Sequence, residues 1–106
     1  PAITRNPFGN GCTYYLGTNM NHDGIAKVLE MAVAEAGVTP VIEEATELEV
    51  TCRKSDNCSY YYILNFKDQT LEVPSCFAGC KNVLTGDTVQ AGELMKKYDV
   101  MIVEKQ

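Results

Sequence analysis

The sequence predicts a mainly β fold, a small antiparallel Greek-key β-sandwich or barrel preceded by one strand and one α-helix. Two observations support this prediction: the single long helical stripe of apolar residues lies before Pro40, and after Pro40 apolar residues recur with period two. Polar turn sequences separate the alternating runs at short intervals, as in small antiparallel folds. We therefore treat residues 1–40 and residues 41–106 as separate units.

The segment before the helix is expected to contain one strand. Cys12–Gly17, CTYYLG, is apolar and rich in residues that favour strands. The preceding Asn6–Gly11, NPFGNG, has the composition of a turn, because glycine reaches positive φ without strain. A turn followed by one short buried strand is the prediction.

The helix is predicted from Asp23, as its N-cap, to about Ala36. Gly37 follows at the position where a left-handed glycine commonly ends a helix. The predicted segment is amphipathic, since one stripe of apolar residues has the i, i+3, i+4, i+7 and i+11 spacing: Ile25, Val28, Leu29, Ala32 and Ala36.

Six short strands are predicted in the second unit, of which the one near Glu93–Lys96 has the least regular pattern. Polar links of hairpin length, Lys54–Asn57 and Lys67–Gln69, separate the first three. Thr85–Asp87 is another turn, and Pro74 is compatible with a strand end or a sheet edge. The other five strands are expected at Leu48–Arg53, Tyr60–Phe66, Thr70–Val73, Lys81–Leu84 and Val100–Glu104.

Three consecutive tyrosines lie in the run Ser59–Phe66, SYYYILNF. A strand would place Tyr60, Tyr62, Leu64 and Phe66 on one face, and Tyr61, Ile63 and Asn65 on the other. Both faces are mostly apolar, which is typical of a central strand covered on both sides. The alternative is an exposed aromatic surface on which a sugar stacks, and its candidate residues are Tyr60, Tyr62 and Tyr98.

Composition and charge exclude several classes of function. Of the 106 residues, 45% are hydrophobic, and nine basic against fourteen acidic residues leave a net charge of −5. Because there is no basic cluster, we expect neither a nucleic acid partner nor an anionic membrane surface. No apolar run approaches the roughly 18 residues of a membrane helix, and the first residues lack a signal-peptide pattern. The prediction is a cytoplasmic protein, and the opening proline suggests a segment of a longer polypeptide.

Five cysteines are present, an odd number that cannot close a complete disulfide framework. Cys76 and Cys80 have a C-x₃-C spacing and, with Cys52 and Cys58, form a conceivable set of four zinc ligands. The five residues between Cys52 and Cys58 match no conventional paired motif, so we predict half-buried free thiols, no metal and no cofactor.

Six motifs follow one another along the chain: NPFGNGCTYYLGT (6–18), GIAKVLEMAVAEAGVTP (24–40), LEVTCR (48–53), YYILNF (61–66), KNVLTG (81–86) and YDVMIVEK (98–105). In this order they resemble the C-terminal region of glycoside hydrolase family 42 β-galactosidases. In the family, the first motif is an aromatic-Gly-x-Gly turn followed by Tyr-Tyr and Gly-Thr, and the second is a helix ending in Ala-Gly-Val-x-Pro. The third is a Val-Glu-Val-x-x-Arg strand, and the fourth is an apolar strand ending in Leu-Asn. The last two are a Leu-Leu-Thr-Gly turn and a closing Gly-Val-x-Val-Leu strand. In that closing strand, Asp99 occupies the position at which the family commonly has glycine.

The resemblance implies that residues 1–40 are the last strand and helix of a flavodoxin-like trimerisation domain, and that residues 41–106 are the C-terminal Greek-key β domain. It implies a bacterial, retaining parent enzyme that hydrolyses terminal β-D-galactosides in carbohydrate metabolism and forms a homotrimer. The catalytic glutamates would lie in a (β/α)₈ barrel outside this chain. The expected partners are therefore that barrel and the middle domain, with a structural, domain-packing role for the chain. A small carbohydrate-binding module is the alternative.

No catalytic residue is expected within this chain. Retaining glycosidases place two carboxyl groups about 5–5.5 Å apart, whereas the neighbouring Glu43 and Glu44 would point to opposite faces of a strand. His22 has no evident base or nucleophile beside it, and Asn21–Asp23 has the composition of a capping turn. An independent small enzyme would need a pocket with a perturbed acid, base or thiol, and the sequence indicates none.

Overall fold

The computed structural model describes residues 2–106 and divides the chain into two compact units. We call residues 2–39 the N-terminal unit and Pro40–Gln106 the C-terminal unit. The predicted fold class is confirmed: the described residues form one α-helix and eight strands, and every strand pair is antiparallel. No helix among residues 2–106 has the length and apolar character needed to cross a membrane.

The N-terminal unit begins with a β-hairpin rather than the single predicted strand. β1 (Ile3–Phe8) pairs with β2 (Gly11–Leu16), and only Gly9 and Asn10 form the turn. Gly9 has a φ of +57°, which suits the first central position of a tight two-residue hairpin turn. The prediction of a longer turn at Asn6–Gly11 was wrong because two residues suffice to reverse the chain.

The helix α1 (His22–Glu35) follows the hairpin. Its N-cap is Asn21, not the predicted Asp23, because the Asn21 side chain accepts a hydrogen bond of 2.9 Å from the Gly24 backbone N–H. Asp23 lies instead in the first turn of the helix, where its negative charge interacts favourably with the helix dipole. The predicted C-terminal glycine is confirmed: Gly37 has a φ of +68°, and its N–H donates to the Ala34 carbonyl.

The N-terminal unit lacks a core of its own. Among residues 2–39, Val28 is the single buried side chain, and it is 9% exposed. Its neighbours on the predicted apolar stripe, Ile25 and Leu29, are exposed. On the hairpin, Phe8 and Tyr15 are 81% and 66% exposed. The amphipathic pattern of this segment is therefore not matched by burial within the chain.

The C-terminal unit contains two antiparallel sheets. The main sheet has four strands in the order β3-β4-β8-β6, and the small sheet pairs β5 with β7. All six predicted strands of this unit are present: β3 (Glu49–Lys54), β4 (Ser59–Leu64), β5 (Leu71–Glu72), β6 (Lys81–Asn82), β7 (Leu94–Met95) and β8 (Val100–Lys105). A 3-10 helix at Ser75–Phe77, which was not predicted, lies between β5 and β6.

The core of the C-terminal unit is built on one face of the main sheet. Ile63 on β4 and Val103 on β8 are fully buried, as is Phe77 from the 3-10 helix. The ring of Tyr61 packs against Phe77 with centroids 5.0 Å apart. The other buried apolar members of this cluster are Leu48, Val73, Val89, Met95 and Met101. Each such side chain contributes roughly 1.5–3 kcal/mol by leaving water, so this unit has its own source of stability.

Candidate functional site

The tyrosine run forms most of strand β4, and its two faces differ in burial. Tyr61 and Ile63 point to the core, as the alternation predicts, together with the buried Asn65 just beyond the strand. Tyr60 and Tyr62 lie on the opposite, outer face and are half-buried. The expectation of a strand covered on both sides therefore holds for the inner face only.

The outer face of the main sheet carries two contrasting rows of side chains across its strands. Register places Tyr60 between Arg53 and Glu104, and Glu104 pairs in turn with Lys81. The neighbouring row places Tyr62 between Thr51 and Ile102. A row of charges with one tyrosine thus lies beside an uncharged row. Such a face suits a partner protein surface at least as well as it suits a sugar.

Tyr98, the third candidate for sugar stacking, lies beyond the far end of β4. Its side chain is 67% exposed and its φ is +65°, which is unusual for a residue other than glycine. The Tyr98 backbone N–H donates a 2.6 Å hydrogen bond to the Asn65 carbonyl, and the Lys97 ammonium lies 5.0 Å from the Tyr98 ring centroid. Tyr60 and Asn65 are five residues apart along an extended segment, or about 16 Å. The structure therefore brings Tyr60 and Tyr62 together but not Tyr98.

In the C-terminal unit, the carboxylate of Glu44 has a definite structural role. Its two carboxylate oxygens accept hydrogen bonds from the Ser75 backbone N–H (3.0 Å), the Ser75 hydroxyl (2.8 Å) and the Cys76 N–H (3.3 Å). The backbone hydrogen bond from Ser75, followed by the hydroxyl bond, holds the pKa of Glu44 below its ordinary value. A carboxyl group that is ionised and committed in this way serves as an anchor for the 3-10 helix rather than as a general acid.

The cysteines are free thiols in the structure. Cys76 is exposed, but desolvation of its thiol raises its pKa, against the opposing effect of the Lys105 ammonium. A raised pKa disfavours the nucleophilic thiolate. Among residues 2–106, no group of three or more His, Cys, Asp or Glu side chains is arranged to hold a metal ion.

His22 and its neighbour Asp23 form an exposed pair at the start of α1, with the imidazole Nδ1 3.7 Å from an Asp23 carboxylate oxygen. Both side chains are at least nine-tenths exposed, so the site excludes no water. This arrangement offers no orientation or desolvation that a catalytic histidine would need.

A cleft in the N-terminal unit, about 530 Å³ in volume, has one acidic group in its lining. That group, Glu35, accepts hydrogen bonds from the guanidinium of Arg5 and from the hydroxyl of Tyr14, which are cross-strand neighbours on β1 and β2. The carboxylate is thus used to join the hairpin to α1. A second carboxyl group, which a retaining glycosidase would require, is not part of this cleft lining.

Sequence reasoning missed the roles of two polar residues. Asn65, fully buried, donates to the carbonyls of Gln69 and Met95 and accepts from the Lys67 N–H, so it joins two loops at one end of the sheet. The position of Asn65 in line with the core-facing residues of an apolar strand was the sequence feature that could have indicated this role. Glu44 had no such signal, because its partners lie about thirty residues away in the sequence.

The C-terminal unit matches a known protein family. Residues 47–105 match the family model described as the β-galactosidase C-terminal domain. The chain is 33% identical over 104 residues to β-galactosidase LacA of Lactobacillus acidophilus, covering 97% of this chain and 15% of that protein. It is 32% identical over 108 residues to β-galactosidase BgaB of Geobacillus sp. (strain Y412MC61), covering 99% and 16%.

Solved structures of β-galactosidases also match this chain. The β-galactosidase from Bacillus circulans sp. alkalophilus has a TM-score of 0.76 and 28% identity, covering 100% of this chain and 16% of that chain. A catalytic mutant of Gan42B, a GH42 β-galactosidase from G. stearothermophilus, has a TM-score of 0.76 and 26% identity, covering 99% and 16%. The chain therefore spans about one sixth of the length of the relatives it matches.

Proposed function

Because the chain belongs to the family of the β-galactosidase C-terminal domain, we propose that it acts as a non-catalytic packing element of a larger β-galactosidase. The larger enzyme would hydrolyse terminal β-D-galactosides with retention, using two glutamates of a (β/α)₈ barrel outside this chain. Residues 41–106 would be its C-terminal domain, and residues 1–40 the end of a flavodoxin-like middle domain. A cytoplasmic location and a trimeric parent enzyme belong to the same proposal.

One observation supports the packing role most directly, which is the exposure of apolar side chains in the N-terminal unit. The exposed set comprises Ile3, Phe8, Tyr15, Leu16, Ile25, Leu29, Met31, Val33 and Val38. Large apolar side chains concentrated on one short segment usually mark a surface that another protein surface covers. The acids described above also support a non-catalytic role, since Glu35 and Glu44 are both committed to hydrogen bonds within the fold.

The packing role can be tested with the Lactobacillus acidophilus enzyme, to which the chain is 33% identical. Three proteins would be compared: that enzyme, a deletion lacking its counterpart of residues 1–106, and a chimera in which this chain replaces the counterpart. We expect the deletion to lower the melting temperature and the hydrolysis of a nitrophenyl β-galactoside, and the chimera to restore both. A deletion with unchanged stability and activity would contradict the packing role, and hydrolysis by the chain alone would contradict the non-catalytic role.

The second candidate function is sugar binding, and it is favoured by the half-exposed Tyr60 and Tyr62 on one face and by the exposed ring of Tyr98. A ¹⁵N-HSQC titration of the 106-residue chain with galactose and lactose at tens of millimolar tests it. Saturable shifts centred on Tyr60 and Tyr62, or on Tyr98, would favour a carbohydrate-binding module. An unchanged, well-dispersed spectrum would leave the packing role as the better account.

A further inference from the structure

The hairpin of the N-terminal unit has two free edges that differ in their capacity to accept another strand. In an antiparallel pair, the N–H and C=O groups of successive residues point alternately to the partner strand and away from it. The Gly17 N–H donates to the Ala2 carbonyl, which assigns this cross-strand pair to the hydrogen-bonded kind. By alternation, the pairs Ile3–Leu16, Arg5–Tyr14 and Pro7–Cys12 are not hydrogen-bonded, and their backbone groups point to the free edges.

The outer edge of β1 is protected against pairing. Pro7 occupies one of its three outward positions and has no N–H to donate. Arg5 occupies the next, and a charged side chain on an edge also discourages strand addition. Strand β3, at the edge of the main sheet, carries similar protection in Glu49, Arg53 and Lys54.

The outer edge of β2 has neither kind of protection. Its sequence, GCTYYL, contains no charge and no proline, and the outward N–H groups of Cys12, Tyr14 and Leu16 are all available. The face with Cys12, Tyr14 and Leu16 is apolar and the opposite face is uncharged, which suits a strand inside a sheet. Helix α1 joins only one face, through the hydrogen bond from Tyr14 to Glu35. A two-stranded hairpin by itself is marginally stable, so β2 resembles an interior strand that has lost its neighbour.

We infer that the outer edge of β2 is an interaction surface for an apolar strand supplied by another part of the same polypeptide. Backbone hydrogen bonds at Cys12, Tyr14 and Leu16 would extend the sheet, and β1 would remain its outermost strand. This inference deepens the proposed function and rests on it, because it names the surface by which residues 2–39 join the larger protein.

Hydrogen exchange at single-residue resolution tests this assignment in the chimera described above, with the 106-residue chain as reference. We expect the amides of Cys12, Tyr14 and Leu16 to exchange about 100-fold more slowly in the chimera, while those of Ile3 and Arg5 keep their rates. Slowing at Ile3 and Arg5 instead, or at α1 alone, would overturn this inference and leave the proposed function standing. No slowing anywhere in residues 2–39 would contradict both.

A second measurement uses the cross-strand neighbours Ile3 and Leu16 as a matched pair, in the 106-residue chain itself. Substituting proline at either position removes an outward N–H and leaves the hairpin hydrogen bonds in place. An unprotected strand edge pairs with another copy at high concentration. We expect sedimentation velocity to show self-association for the unaltered chain and for Ile3→Pro, and its loss for Leu16→Pro. Equal association of both variants, or the reverse order, would overturn the inference.

Discussion

The two units of this chain have similar apolar patterns but opposite outcomes in burial. In the C-terminal unit, alternating strands place Ile63, Phe77 and Val103 in a fully buried core. In the N-terminal unit, a helical stripe and an apolar hairpin bury only Val28 among the described residues 2–39. A sequence pattern specifies which face of an element seeks burial, but whether that face is covered depends on the presence of a partner.

This difference predicts different stabilities for the two units. A packed cluster supports cooperative unfolding, whereas a hairpin and one helix with little buried area open at low free energy. The C-terminal unit is therefore expected to account for nearly all the unfolding free energy of the chain, and the N-terminal unit to become ordered chiefly through its partner.

The largest effect is expected from two phenylalanines with opposite burial. Phe77→Ala should destabilise the C-terminal unit by about 3–5 kcal/mol, because it leaves a cavity under Tyr61. Phe8→Ala removes a side chain that is 81% exposed, and should change the unfolding free energy by less than about 0.5 kcal/mol. Urea denaturation followed by tyrosine fluorescence measures both. Equal effects would remove the distinction between the units.

A smaller loss is expected at the buried amide of Asn65. Asn65→Ala leaves the Lys67 N–H and the Gln69 and Met95 carbonyls without their partner, so we expect a destabilisation of about 1–3 kcal/mol. The exposed Asn57, replaced in the same way, is the control, and its expected change is within about 0.5 kcal/mol. A thermal melt that ranks the two variants equally would contradict the structural role of Asn65.

Two buried valines, one in each unit, test whether the units unfold together. Val103→Ala should cost about 2 kcal/mol in the main unfolding transition, since the side chain is fully buried. Val28→Ala should leave that transition within about 0.5 kcal/mol of its original free energy, because Val28 lies in the other compact unit, which we expect to unfold separately. A shift of the main transition by Val28→Ala equal to that of Val103→Ala would show that the chain unfolds as one body.

The smallest effect concerns pH and the Glu44 anchor. Since the folded pKa of Glu44 lies below its ordinary value of 4.5, its stabilising contribution is complete above that value and declines as the pH falls through the folded pKa. Glu44→Gln should therefore be less stable than the unaltered chain at neutral pH, and the difference should shrink in acid. Glu43→Gln, at the exposed neighbouring position, is the control. A difference for Glu44→Gln that persists unchanged down to pH 2 would contradict the role assigned to its charge.

The sequence was sufficient to predict the strands of the C-terminal unit because period-two alternation is a local signal. It was insufficient for β1, since Pro7 and the turn residues around it conceal a strand whose pairing depends on β2. The helix was predicted correctly, but its N-cap was assigned two residues late, because Asn21 and Asp23 are both good capping residues and only the bond to Gly24 separates them.

The candidate surface was less predictable than the fold. Alternation separated Tyr61 from Tyr60 and Tyr62, yet it could not show that the outer face is only half-covered. The distance of Tyr98 from Tyr60 follows from the chain path between β7 and β8, which no local pattern encodes. The contacts of Glu44 are likewise long-range in sequence. Local patterns thus predicted which side chains share a face of a strand, whereas tertiary structure determines which of these faces are exposed to solvent.

The most direct test of this account is native-state hydrogen exchange of the 106-residue chain, read residue by residue. We predict that amides in the core strands, such as those of Ile63 and Val103, exchange only through global unfolding, while those of Tyr15 and Val28 exchange through low-energy local opening. Protection should then fall sharply between the C-terminal and N-terminal units. Uniform protection across both units would contradict the claim that only the C-terminal unit is stable on its own.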